Sequence, residues 1–113
     1  MDTMKWQIQS WPEPCVLTIS GDVDVTCTEA LAGIQKELAP SSRVVIDVAD
    51  LEYADTSFLR FLLHLKKHEN KSERDAIRLV HVSRRLRRLL EITGLGRVFA
   101  CDDMAAHAAL ARI

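Results

Sequence analysis

The sequence predicts an α/β domain built on a mixed, mainly parallel sheet, with an N-terminal antiparallel hairpin at one edge and about four flanking helices. Three observations carry that prediction. Two short strand-like runs, Lys5–Gln9 and Cys15–Ser20, flank a proline-bearing turn. Helix-periodic and β-branched segments then alternate to the end of the chain. The run from Arg43 to Val48, RVVIDV, is almost continuously apolar, as suits a central strand covered on both faces. One domain of ordinary size accounts for residues 1–113.

Each element has its own signal. Lys5–Gln9 alternates weakly, as an edge strand does. Trp11-Pro12-Glu13-Pro14 is a turn, because two prolines cannot serve a sheet ladder. Cys15–Ser20 returns as the second strand of the hairpin, with Val16 and Thr18 on one face, and Gly21 is expected to end it. Thr26-Cys27-Thr28-Glu29 has the spacing of a capping box, in which hydroxyl and carboxylate each satisfy a free N–H. Leu31, Ile34 and Leu38 then recur at helical intervals, which predicts a helix from about Cys27 to Leu38. Pro40-Ser41-Ser42 breaks it before the RVVIDV strand. The next helix starts around Ser57; Leu59, Leu62, Leu63 and Lys66 share a face, with Phe58 and Leu65 beside it. His68 to Asp75 is polar and reads as an exposed loop, and Ala76–Val82 as another strand. Ser83 is placed to cap a helix bearing Leu86, Leu89 and Leu90, which Thr93-Gly94 ends, glycine taking the left-handed cap. Val98–Cys101 is a short last strand, and Asp102 or Asp103 is expected to cap a final alanine-rich helix.

Composition narrows the function. Apolar residues make up 48%, enough for one core, while 15 Lys and Arg nearly balance 16 Asp and Glu. That balance argues against a dedicated nucleic-acid or membrane binder. No apolar run is long enough to span a bilayer, and MDTMKWQIQ lacks the apolar stretch of a signal peptide, so the expected compartment is the cytoplasm. Cys15, Cys27 and Cys101 show no metal-ligand spacing and read as buried small hydrophobes. The histidines His64, His68, His81 and His107 form no zinc pattern and read as surface or partly buried structural residues. No cofactor is implied.

In a sheet of this kind functional groups gather where strands end and helices begin. Two such seams are polar: Gly21-Asp22-Val23-Asp24 and Asp55-Thr56-Ser57. At the second, each side chain suits a helix cap, which is one complete account of it. A hydroxyl there also suits phosphorylation, because a helix N-terminus tolerates a phosphate without refolding. The first seam has a rival reading. Asp22-Val23-Asp24-Val25-Thr26 follows the D-x-D-x-T order of haloacid-dehalogenase-type phosphohydrolases, where the first Asp is nucleophile, the second acid/base, and Mg²⁺ binds the carboxylates. Thr56 or Ser57 and the pair Asp102-Asp103 imitate the later motifs. The match is poor: Gly21 interrupts the strand, the chain is small for that fold, and no Lys lies between Lys71 and the acidic pair. The run Arg84-Arg85-Leu86-Arg87-Arg88 has the leucine spacing of an amphipathic helix with a solvated cationic face.

Three ordered pieces, ISGDVDVTCTEAL, VVIDVADLEYADTSFLRFL and IRLVHVSRRLRRLLEITGLGRVF, together resemble a STAS domain, the fold of bacterial anti-sigma factor antagonists and of the cytosolic tails of sulphate transporters. The most specific matches are an apolar strand, Asp55-Thr56-Ser57 and a leucine-rich helix, then a helix closing on Thr93-Gly94-Leu95. The resemblance implies a binding protein without catalysis, which engages a serine/threonine kinase that acts as an anti-sigma factor and thereby regulates transcription. It implies that this kinase phosphorylates Thr56, with Asp55 and Asp24 as flanking carboxylates and Ser57 beside them, and that a phosphatase restores the binding form. Phe58 stands where the family usually has Gly, and is expected either to offer an apolar anchor to a different partner or to bar the kinase. Other family members are scaffolds or transporter-associated subunits, and that role is the alternative.

Overall fold

In the computed structural model, which describes residues 3–10, 12–68 and 76–103, nine regular elements surround one mixed sheet. They are β1 (Lys5–Gln9), β2 (Cys15–Val23), α1 (Thr28–Leu38), β3 (Val44–Asp47), β4 (Leu51–Ala54), α2 (Thr56–His68), β5 (Ile77–Val82), α3 (Arg84–Thr93) and β6 (Ala100–Asp103). Single 3₁₀ turns at Val25–Cys27 and Leu95–Arg97 adjoin α1 and α3. β1 pairs antiparallel with β2, and the remaining pairs are parallel in the order β1-β2-β3-β5-β6. The mixed α/β class with its edge hairpin is therefore as the sequence predicts, with three α-helices among the described residues. The loop expected over 68–75 and the final alanine-rich helix fall largely outside those residues, as does Trp11. Asp102, expected as a cap, is instead part of β6, where its carboxylate accepts from Arg78 Nη1 at 2.8 Å.

The core follows strand alternation. Cys15, Leu17, Ile19 and Val23 of β2 are buried, as are Val44 and Ile46 of β3 and Ile77, Leu79 and Val82 of β5. The opposite side chains of β3, Val45 and Asp47, are only half-buried, so this strand is less fully enclosed than its apolar sequence indicates. Leu31, Ile34 and Leu38 of α1 and Phe58, Phe61, Leu62 and Leu65 of α2 complete the same cluster. Among the cysteines only Cys15 is fully buried; Cys27 and Cys101 are partly exposed.

Two features missed by sequence periodicity shape the functional edge. β2 does not end at Gly21. Gly21 adopts φ 80°, the strand's register shifts there, and β2 continues to Val23 beside β4 instead of β3. Glycine permits that left-handed step, which a side chain would strain. The second is β4 itself, a four-residue strand between Val48 and the Asp-Thr-Ser seam that, among the described residues, pairs only with β2. Its Glu52 and Tyr53 are both exposed, so it has no regular alternation to betray it. Nearby, His81 takes φ 59° and meets Asp47 Oδ1 at 2.8 Å through Nδ1, at the irregular end of the β5–β6 pairing.

Candidate functional site

The two polar seams meet at one end of the sheet. β2 and β4 run parallel, Val23 opposite Ala54, so Asp24 and Asp55 leave adjacent strands in the same direction. The Asp55 N–H donates to the Val23 carbonyl at 3.2 Å and ties the start of α2 to the end of β2.

Each carboxylate organises its own turn. Asp55 Oδ1 accepts the Ser57 N–H at 2.8 Å, and the Asp55 carbonyl accepts the Phe58 N–H at 3.1 Å. Asp55 is thus the cap of α2, and Thr56 is its first residue, exposed to solvent. Asp24 Oδ1 accepts the Thr26 N–H at 2.9 Å and also a short bond from the Thr26 hydroxyl. The capping box expected at Thr26 to Glu29 does not form in that role. Asp24 caps the 3₁₀ turn one step earlier, and the Thr28 hydroxyl donates back to the Val25 carbonyl at 2.7 Å. Asp24 thus holds the Thr26 N–H that Glu29 would take in the box, and it engages the Thr26 hydroxyl as well. The Thr26 side-chain bond, then the Thr26 N–H, hold Asp24 below the usual carboxylate range.

Phe58 corrects a sequence expectation. Its ring is 0% exposed and stacks on Phe61 with centroids 6.3 Å apart. The third position of α2 faces inward, so the ring is part of the core and cannot be a surface anchor. Beside the seam, an open groove between α1 and α2 is lined by Val25, Leu31, Ser57, Arg60, Phe61 and His64, among others. Val25 is 71% exposed there, an apolar surface residue that the sequence reading did not single out. Among the described residues no three acidic, His or Cys side chains converge as a metal-binding group, and Asp24 is committed to Thr26.

The architecture is an α/β domain whose strand ends gather two capped, acidic loops and an exposed threonine at the start of α2. Residues 6–104 match a family model described as "Mlab, STAS domain", and the chain belongs to the STAS-domain family. Solved structures agree on the fold. An anti-sigma factor antagonist from Mycobacterium paratuberculosis superimposes with a TM-score of 0.74 at 20% identity, covering 95% of this chain and 93% of that one. The anti-sigma factor antagonist SpoIIAA in its unphosphorylated form gives 0.68 at 16%, covering 96% of both chains. The Bacillus cell fate determinant SpoIIAA in its phosphorylated form gives 0.65 at 16%, covering 96% and 98%. A sequence search of curated proteins finds no significant match.

Proposed function

We propose that this chain is an anti-sigma factor antagonist, a binding protein rather than a catalyst, switched off by phosphorylation of Thr56. Its partner is a serine/threonine kinase that serves as the anti-sigma factor, docked over Asp24, Asp55 and Ser57. The observation that carries the proposal is the exposed Thr56 hydroxyl at the first position of α2, on the strand end that also bears Asp24. The likeness in fold to antagonists, one of them in phosphorylated form, supports it. In the switch, Thr56 Oγ1 bonds to the γ-phosphorus of ATP, ADP leaves, and the hydroxyl proton passes to a base of the kinase. A phosphatase hydrolyses the ester and restores the hydroxyl.

The physical logic is that one dianion acts differently in two settings. In the free protein the α2 N-terminus offsets part of its repulsion from Asp55 and Asp24. At an interface it must be desolvated or meet like charge. A penalty of about 3–4 kcal/mol weakens binding by some two to three orders of magnitude.

A second reading, a non-catalytic scaffold or transporter-associated subunit, is favoured by one observation. The core ring of Phe58 fills the position where antagonists usually carry Gly. There the seam is a docking surface only. Pull-downs from the native host with wild type and Thr56→Glu, read by mass spectrometry with phosphosite mapping, separate the two. Expected are a kinase-type anti-sigma factor captured by wild type alone and phosphate on Thr56. A membrane transport protein captured equally by both forms supports the second reading. Equal titration calorimetry of wild type, Thr56→Ala and Thr56→Glu against the captured partner, with Thr56 unmodified in cells, reduces the seam to a helix cap.

A further inference from the structure

A second groove, between β4 and α3, plays no part in the phosphorylation switch. Leu51, Ala54, Leu86 and Leu89 line it, all buried or half-buried. Of four large apolar side chains exposed among the described residues, two meet in this groove: Tyr53, 50% exposed, and Ile92, 74% exposed. Concentrating that much apolar surface in one recess is a mark of a binding surface.

Its charge is as informative. Arg85 and Arg88 line the groove, with Glu52 as the acid opposite them. The helix start carries Arg84 and Arg85 and no acid in its first turn. Free N–H groups already make a helix N-terminus partially positive, so guanidinium groups there oppose the fold. Arg84, Arg85 and Arg88 enter no ion pair among the described residues, where the pairs are Arg78–Asp102 and His81–Asp47. A local electrostatic cost with no ion pair to offset it among the described residues belongs to a surface that meets something else.

We propose that the β4–α3 groove is a docking surface for an acidic, apolar-faced segment of a partner protein. The segment sets carboxylates on Arg85 and Arg88 and apolar side chains against Tyr53, Leu89 and Ile92. Carboxylate–guanidinium pairs give it orientation and charge-dependent association. Concavity favours a protein segment over a bilayer, because a flat lipid surface cannot reach recessed Leu86. A lone aromatic ring, Tyr53, provides no stacking platform for single-stranded nucleic acid. The proposal does not depend on Thr56 being modified.

The test is selection of a displayed library of short random peptides on the full chain. Vesicles of phosphatidylglycerol and a single-stranded oligonucleotide are titrated in parallel. Enriched peptides are expected to be acidic with interspersed apolar residues, and to shift the NMR signals of Tyr53, Leu89 and Ile92. An Arg85→Glu/Arg88→Glu variant is expected to bind them at least about tenfold more weakly. Its melting temperature is expected at or above that of wild type, which separates lost binding from lost fold. No binder, neutral or basic consensus peptides, unchanged affinity of the double variant, or shifts confined to other surfaces would overturn the proposal. Tighter binding of the vesicles or oligonucleotide than of any peptide would overturn it too, in favour of a lipid or nucleic-acid surface.

Discussion

Asp24 shows how the sequence can place a seam residue while leaving its bonding partners hidden. The sequence marks it as an acid at a strand end, yet its carboxylate builds the turn into α1 by accepting the Thr26 N–H and hydroxyl. Those bonds favour the charged form, so the folded pKa lies below the roughly 3.9 of an unstructured Asp. Its stabilisation is then fully present above that unfolded value and is lost as pH falls through the folded one. Melting temperatures of wild type and Asp24→Asn should therefore converge as pH drops below about 4 and separate above it. A constant gap across that range would show that the charged form is not favoured. Phe58 carries the sharper test at this scale. With its ring fully buried, Phe58→Gly should cost about 3–5 kcal/mol for the lost ring. Glycine inside the helix adds about 1 kcal/mol more. A Phe58→Gly protein with unchanged denaturant midpoint would mean that the ring is a removable gate and not core.

At the scale of elements, legibility tracked periodicity. The hairpin, α2, α3 and the central strands were readable because apolar spacing, Ser83 and Gly94 all agreed; the Leu86 N–H does donate to Ser83 Oγ at 3.2 Å, and Gly94 sits at φ 78°. β4 was not readable. Four residues with exposed Glu52 and Tyr53 have no period, and their place is set by the Gly21 shift in a distant strand. The β4–α3 groove was invisible for the same reason, since half of it depends on β4. At the site, the sequence placed Asp55, Thr56 and Ser57 at a helix start, but whether Phe58 faced in or out depended on a helix phase that began one residue earlier than expected. α3 supplies the prediction here. Replacing Arg85 by Glu turns an unfavourable charge at a helix N-terminus into a favourable one. The change should raise stability by about 0.3–1 kcal/mol, read from chemical denaturation at low salt, and the gain should shrink as salt is added. A loss of stability would mean that Arg85 is held by a favourable contact within the fold.

On the scale of the whole molecule, the sheet separates an interior that tolerates no charge from a rim where charge is the working variable. Ile46 lies at 0% exposure in β3, paired with Leu17 on one side and Leu79 on the other. Removing a buried branched side chain of this size costs about 2–5 kcal/mol. An aspartate in its place adds several kcal/mol for burying an unpaired polar or charged group. Together these approach or exceed the roughly 5–15 kcal/mol by which a domain is stable. Ile46→Asp should therefore lose its cooperative thermal transition. Thr56→Glu adds a carboxylate at an exposed helix start, where the dipole favours it, and should melt within a degree or two of wild type, since about 1 kcal/mol moves the midpoint by several degrees at this size. Calorimetric scans of the two proteins side by side test the division directly. A folded Ile46→Asp would displace β3 from the centre of the sheet. An unfolded Thr56→Glu would be the more consequential result, because a phosphate at that position could not then act on a partner while leaving the domain intact.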